Sequence, residues 1–216
     1  ANDQRAQLEA LYAAMAPKGL LPLWESLHAL VLAEPQSPAK PWRWSYDEVR
    51  DHLMRAGDII SAEQAERRVL ILENPGLGGL SAITPSLYAG LQLILPGEVA
   101  PCHRHSQNAL RFVMEGSGAF TALDGEKAVM QPFDLVLTPA GQWHDHGNQT
   151  DQPMIWLDGL DTPLAHNLEA TFYEQYPEDQ QPITGTGQSV QKYSSGTLRP
   201  AWEDYNAPYS PLWHYK

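Results

Sequence analysis

Cysteine is nearly missing from this chain: Cys102 is the single one in 216 residues. An internal disulfide framework is excluded, and the composition fits a reducing compartment such as the cytoplasm. Basic residues are also scarce, with 14 Lys and Arg against 26 Asp and Glu and a formal net charge of −12. A surface of that sign repels phosphate, so no nucleic acid partner is expected. Long hydrophobic runs are lacking too. None approaches the roughly 20 apolar residues that cross a bilayer, and no membrane partner is expected. The opening stretch, "ANDQRAQLEALYAAMA", has the spacing of a charged amphipathic helix rather than the pattern of a signal peptide. There is no internal repeat.

What is present can build a core, since 43% of the residues are hydrophobic. Residues 1–66 read as a helical region. Leu8, Leu11, Tyr12 and Met15 recur at helical spacing ahead of Pro17, and a second apolar-rich helix is predicted over about 22–32. Ser45 with Glu48, and Ser61 with Gln64, have the spacing of capping boxes that open two more. From Arg67 the texture turns to short strands. "RRVLILENPG" and "SLYAGLQLILPGE" come first, and six more follow at 110–114, 119–123, 127–130, 135–138, 144–147 and 154–157, separated by "EGSG", "LDGE" and "PAGQ". That rhythm predicts a mainly β fold, an antiparallel sandwich or barrel, over 67–167. Residues 168–216 are rich in Pro, Gly, Ser and Gln and read as a linker. Its last stretch, "WEDYNAPYSPLWHYK", carries enough aromatic residues to predict that it packs on something.

Chemistry concentrates in "VAPCHRHSQNALRFVMEGSG". Residues two apart on a strand share a face, so His103 and His105 can reach one metal ion while Cys102 points away. Alone, such a pair is as often a surface or hydrogen-bonded core pair. A second segment, "PAGQWHDHGN", brings His144 out of a tight turn and could close a three-imidazole site. His146 shares its strand face and could be a fourth ligand, an acid–base group or a surface residue. Arg111 follows His105 by six residues, and an inward arginine can bind a carboxylate bidentately. Only one of Arg67 and Arg68 should face inward, and Arg67 is favoured. Gln92 and Tyr88 alternate along "LYAGLQL" and can line a cavity. Asp158 ends the "MIWLD" strand. His28, His52, His166 and His214 match no motif and are assigned surface or structural roles.

These two segments resemble the paired motifs of the cupin family. Gly97, five residues, His103-Arg104-His105 and Gly116 match the first; Pro139-x-Gly141, two residues, His144, three residues and Asn148 match the second. The family's glutamate position falls on Ala109, and its leading glycine in the second motif on Phe133-Asp134. More of the chain, including "WRWSYDEVR", "RRVLILENPGL" and "WLDGLDTPL", is similar to one cupin branch, the gentisate 1,2-dioxygenases, with salicylate and 1-hydroxy-2-naphthoate dioxygenases as relatives.

The resemblance implies a double-stranded β-helix, or jelly-roll barrel, preceded by the helical region. It implies Fe(II) on His103, His105 and His144, with His146 beside the substrate rather than on the metal. Arg111 and Arg67 would take a substrate carboxylate, Gln92 and Tyr88 would line the pocket, and Asp158 would meet a ring hydroxyl or His146. Gentisate and O₂ would give maleylpyruvate in aromatic catabolism, in a homo-oligomer, a tetramer by resemblance. Cleavage of salicylate or 1-hydroxy-2-naphthoate, or a non-catalytic metal-binding module, are the alternatives. The branch carries a second cupin after the linker; this sequence ends at "YSPLWHYK", about where that cupin would begin, so a longer parent protein is expected.

Overall fold

A computed structural model describes residues 2–193, so the aromatic stretch near the end of the chain and His214 lie outside the described residues. Contacts divide the chain into two units, with the break after Pro38. In the first, α1 (Asn2–Met15) is followed by a 3₁₀ turn (Ala16–Lys18) and α2 (Leu23–Leu30). Tyr12 joins the two helices, donating to Glu25 Oε1 (2.6 Å) and accepting from Trp24 Nε1 (2.8 Å).

The second unit opens with α3 (Tyr46–Ile59) and α4 (Ala62–Ala65) and continues into β1 (Val69–Ile71), β2 (Tyr88–Ile94), β3 (Val99–His105), β4 (Ala109–Glu115), β5 (Phe120–Leu123), β6 (Glu126–Val129), β7 (Leu135–Thr138), β8 (His144–Gly147) and β9 (Met154–Leu160). After α5 (Thr162–Asn167) come β10 (Tyr173–Gln175), β11 (Gly185–Thr186) and α6 (Gln188–Tyr193). One sheet runs β1-β2-β9-β4-β7, the other β10-β3-β8-β5-β6-β11, and all pairs but β6–β11 are antiparallel. This is the expected jelly-roll. Residues 168–193, predicted as linker, supply the outer strands of the second sheet.

Ser61 and Gln64 form the predicted capping box, each side chain meeting the other's main chain. Ser45 sits at the N-cap of α3 but makes no side-chain cap bond; the acidic Asp47 and Glu48 in its first turn complement the helix dipole instead. α3 covers the outside of the first sheet. Leu53 is fully buried against Leu91, Leu93 and Ile155, and Arg50 binds Glu115 of β4 with both of its bonds under 2.8 Å. Between the sheets, Ile94, Ala100, Val113, Ala119, Met130, Met154 and Trp156 form an apolar cluster at one end of the barrel. Asn148 closes that end. Its amide donates to the carbonyls of Ile94 (3.2 Å) and Gln152 (2.7 Å), and its Oδ1 accepts from Thr150. The motif's asparagine is thus a turn-fastener rather than a ligand.

Candidate metal centre and active site

His103 and His144 are direct register partners on β3 and β8. The register shifts between Ala100 and His103, a bulge that lets both Ala100 and His103 face inward although they are an odd number of residues apart. His105 then follows by ordinary alternation. The ring centroids lie 4.3 Å (His103–His144), 4.8 Å (His105–His144) and 5.3 Å (His103–His105) apart. The nitrogens these three offer all fall within 4.8 Å of one another. The turn that delivers His144 needs Gly141 at φ +79°, where a side chain would be strained. The Gly141 N–H donates to the carbonyl of His105 (2.7 Å), latching one motif onto the other.

Each of the three rings is anchored in the same way. Nδ1 faces a main-chain carbonyl two residues away: Pro101 O for His103 (3.2 Å), Gln107 O for His105 (3.0 Å) and Gln142 O for His144 (3.0 Å). A carbonyl can only accept, so at His105 and His144 Nδ1 carries the hydrogen and the Nε2 lone pair is left for a metal. Arg67 Nη2 donates to Pro101 O and also meets His103 Nδ1; a guanidinium can only donate, so the carbonyl and Arg67 compete to set the His103 tautomer. Burial, then the Arg67 charge, pulls His103 down to about 3; burial, then His103, pulls His144 down to about 2; burial also lowers His105. Three neutral imidazoles fit a divalent transition ion. Ala109 shares the inward face of β4 with Arg111 and is buried, so no carboxylate enters at the family's glutamate position.

Next to the triad lies a buried charged network. Arg111 and Asp158 are register partners on β4 and β9, 4% and 6% exposed. Arg111 Nη2 stands 3.1 Å from Asp158 Oδ1, yet that oxygen has no aligned hydrogen bond, and neither has Arg111 Nε. Asp158 Oδ2 accepts from Trp156 Nε1 (3.0 Å), and the guanidinium lies 5.2 Å from the Trp156 ring centre. Burial pushes the Asp158 carboxyl above the usual range against the opposing pull of Arg111. Arg111 also donates to Thr121 Oγ1 (3.1 Å). The one hydroxyl hydrogen of Thr121 has two acceptors, Met130 Sδ (3.4 Å) and His146 Nδ1 (3.1 Å). The His146 tautomer therefore follows the Thr121 hydroxyl. His146 is buried and held neutral, its pKa well lowered first by burial and then by Arg111.

The remaining candidates fall as follows. Arg67 reaches the triad as described, while Arg68 is buried in an ion pair with Glu98. Gln92 is buried and registers with Trp156. Tyr88 is half-buried, and burial followed by the Asp158 charge pushes its hydroxyl up to about 12. His28, His52 and His166 are exposed. Cys102 is fully buried on the face away from the histidines. Thr121 and Trp156 were not singled out in the sequence. Their signal was faint: Thr121 is the polar residue of "AFTAL", and Trp156 precedes Asp158 by two on one face.

A cupin-domain family model matches residues 90–160. Over 94% of the chain the sequence is 52% identical to gentisate 1,2-dioxygenase 1 of Aquipseudomonas alcaligenes, covering 59% of that protein. The salicylate 1,2-dioxygenase of Pseudoaminobacter salicylatoxidans, solved as an adduct with gentisate, superposes with a TM-score of 0.78 at 38% identity, over 90% of this chain and 54% of that one. A 5-nitrosalicylic acid 1,2-dioxygenase of Bradyrhizobium is 33% identical over 65% of the chain and 69% of its own length. The chain belongs to the cupin family that includes the 5-nitrosalicylic acid, gentisate and salicylate 1,2-dioxygenases. It spans about half the length of the first curated gentisate 1,2-dioxygenases it matches, 59%, 50% and 47%. Membership places the triad in a dioxygenase family. Among the described residues, no helix is long and apolar enough to cross a membrane.

Proposed function

We propose that this chain carries the metal-binding and substrate-binding part of an Fe(II)-dependent gentisate 1,2-dioxygenase, acting in the cytoplasm on gentisate and O₂ to give maleylpyruvate. The carrying observation is the pairing, in one barrel end, of three histidines with Nδ1 tied back and a buried arginine whose Nε lacks a partner. His103, His105 and His144 would hold the ion. With no carboxylate among them its full charge would face an anionic aromatic acid. Fe(II), when bound, supplies the spin-forbidden reaction with O₂ that no side chain can perform.

The chain's own residues do the rest. Arg111 has a donor to give a substrate carboxylate, and Arg67 adds positive charge beside His103. Asp158, whose Oδ1 lacks an aligned donor, can accept the hydrogen of a ring hydroxyl as the ring becomes electron-rich. Tyr88 and Gln92 face the same interior. With the Thr121 hydroxyl turned to Met130, His146 presents Nε2 as a neutral acceptor; this is a base that can take a proton without building charge beforehand. Anaerobic Fe(II) loading followed by O₂ uptake tests the reading. Consumption with gentisate ahead of salicylate is expected. Binding of gentisate with no O₂ consumption by an iron-loaded protein that includes the full length of its relatives would overturn it. A homo-oligomer is part of the proposal, checked by sedimentation.

A further inference from the structure

The outer face of the metal-bearing sheet is crossed by the segment that follows the barrel. β10 lies against β3, with Tyr173 opposite His105 and Gln175 opposite His103. Tyr176 N donates to Cys102 O (3.0 Å), and Cys102 N donates to Asp179 O (2.8 Å). Two residues later Gln181 turns into the sheet and is 7% exposed. Its Oε1 accepts from Gly125 N (2.6 Å). Its amide nitrogen reaches Asp145 Oδ2 (3.0 Å), Ala122 O (3.2 Å), Trp143 O (3.2 Å) and, more distantly, Cys102 Sγ (3.8 Å). Its main-chain N–H adds a second bond to Asp145 Oδ2 (3.2 Å).

The positions of these partners matter more than their number. Cys102 immediately precedes His103, and Trp143 and Asp145 bracket His144. Alternation puts both histidines on the far side of the same strands. The segment therefore holds β3 by its main-chain bonds to Cys102, while the Gln181 side chain holds the two residues that bracket His144 on β8. A neutral amide suits the place. It offers two hydrogens to carbonyls and a buried carboxylate and one acceptor to Gly125, which neither a carboxylate nor an apolar side chain can do.

Resting on the metal site proposed above, we infer that Gln181 is a positioning residue of that site, fixing the separation of β3 and β8 and with it the His103–His144 geometry. Groups that orient metal ligands typically change affinity by about 10–100-fold when lost.

The test is anaerobic Co(II) titration of the full chain, read by visible absorption, alongside thermal unfolding of the metal-free protein. Gln181→Met keeps length and bulk but loses the hydrogen bonds. It is expected to weaken Co(II) binding about 10–100-fold and to alter the absorption bands. Thr184→Val loosens the same segment at its bond to Gly125 O (3.4 Å), away from the ligands, and is expected to lower stability while keeping affinity and spectrum. Asp145→Asn preserves shape and an acceptor oxygen, is expected to give a smaller loss of affinity, and decides the matter if Gln181→Met does not fold. A lowered melting temperature with unaltered Co(II) affinity and spectrum would make Gln181 a plain anchor of the segment and overturn the inference. If the unaltered chain and His144→Ala titrate alike, the metal site itself fails, and that outcome is distinct from the first.

Discussion

On β9, Met154 and Trp156 face the barrel interior among Ile94, Ala100, Val113, Ala119 and Met130, while two residues further along the same face Asp158 lies buried beside Arg111. On β4 the order reverses, with Val113 in the apolar cluster and Arg111, then Ala109, toward the polar end. The same strands thus build two interiors. One is closed by apolar contacts, which stabilise at roughly 25 cal/mol per Å² removed from water. The other buries two charges, four imidazoles and several poorly paired polar atoms, an arrangement that costs stability unless a ligand completes it. The apolar end holds the strands at fixed register, and the polar end uses that rigidity to aim side chains.

The comparison breaks most sharply at the ligands. His103→Ala, His105→Ala or His144→Ala should each strip most of the metal, measured by plasma emission, whereas His146→Ala should keep it. Full occupancy in His105→Ala would remove that residue from the ligand set. His146→Ala should then lose about 10²–10⁴ in kcat with gentisate, while any activity on salicylate, which lacks the second hydroxyl, changes little; equal slowing of both would show that His146 does not read that hydroxyl. At the opposite end, Ile94→Ala should cost about 2–5 kcal/mol of stability in urea unfolding and leave metal content per folded molecule unchanged. A loss of metal there would mean the two ends are not separable.

Arg111→Ala should weaken gentisate binding by about 1.5–3 kcal/mol and hydroquinone, which has no carboxylate, far less; equal losses would reassign Arg111 to support of the fold. A further effect, summed over four histidines, is with pH. His103, His105, His144 and His146 have folded pKa values below the ordinary 6.5. Above about pH 6.5 each is neutral in both states. As the pH falls below that value the unfolded chain takes up protons the native one refuses, so metal-free protein should lose stability by up to about 1.4 kcal/mol per pH unit per histidine. Urea midpoints at pH 7.5, 6.5 and 5.5 would show it, and a flat profile would contradict the buried neutral assignment.

The convergence of His103, His105 and His144 was legible because a period-two strand and a glycine turn fix where those side chains point. Most strands were legible for the same reason, and so was the Ser61–Gln64 cap. Ser45 misled, since its spacing to Glu48 is right but its side chain makes no cap bond. The bulge between Ala100 and His103 was hidden, because nothing in "VAPCHRH" breaks the alternation visibly. Residues 172–186 read as linker because they have no hydrophobic period. They attach through main-chain bonds and through Gln181, and such polar docking leaves no periodic trace.

The three clustered imidazoles face main-chain carbonyls of Pro101, Gln107 and Gln142. A carbonyl is present whatever residue stands there. Substitution at Gln107 or Gln142 therefore changes a side chain without removing the partner that orients an imidazole.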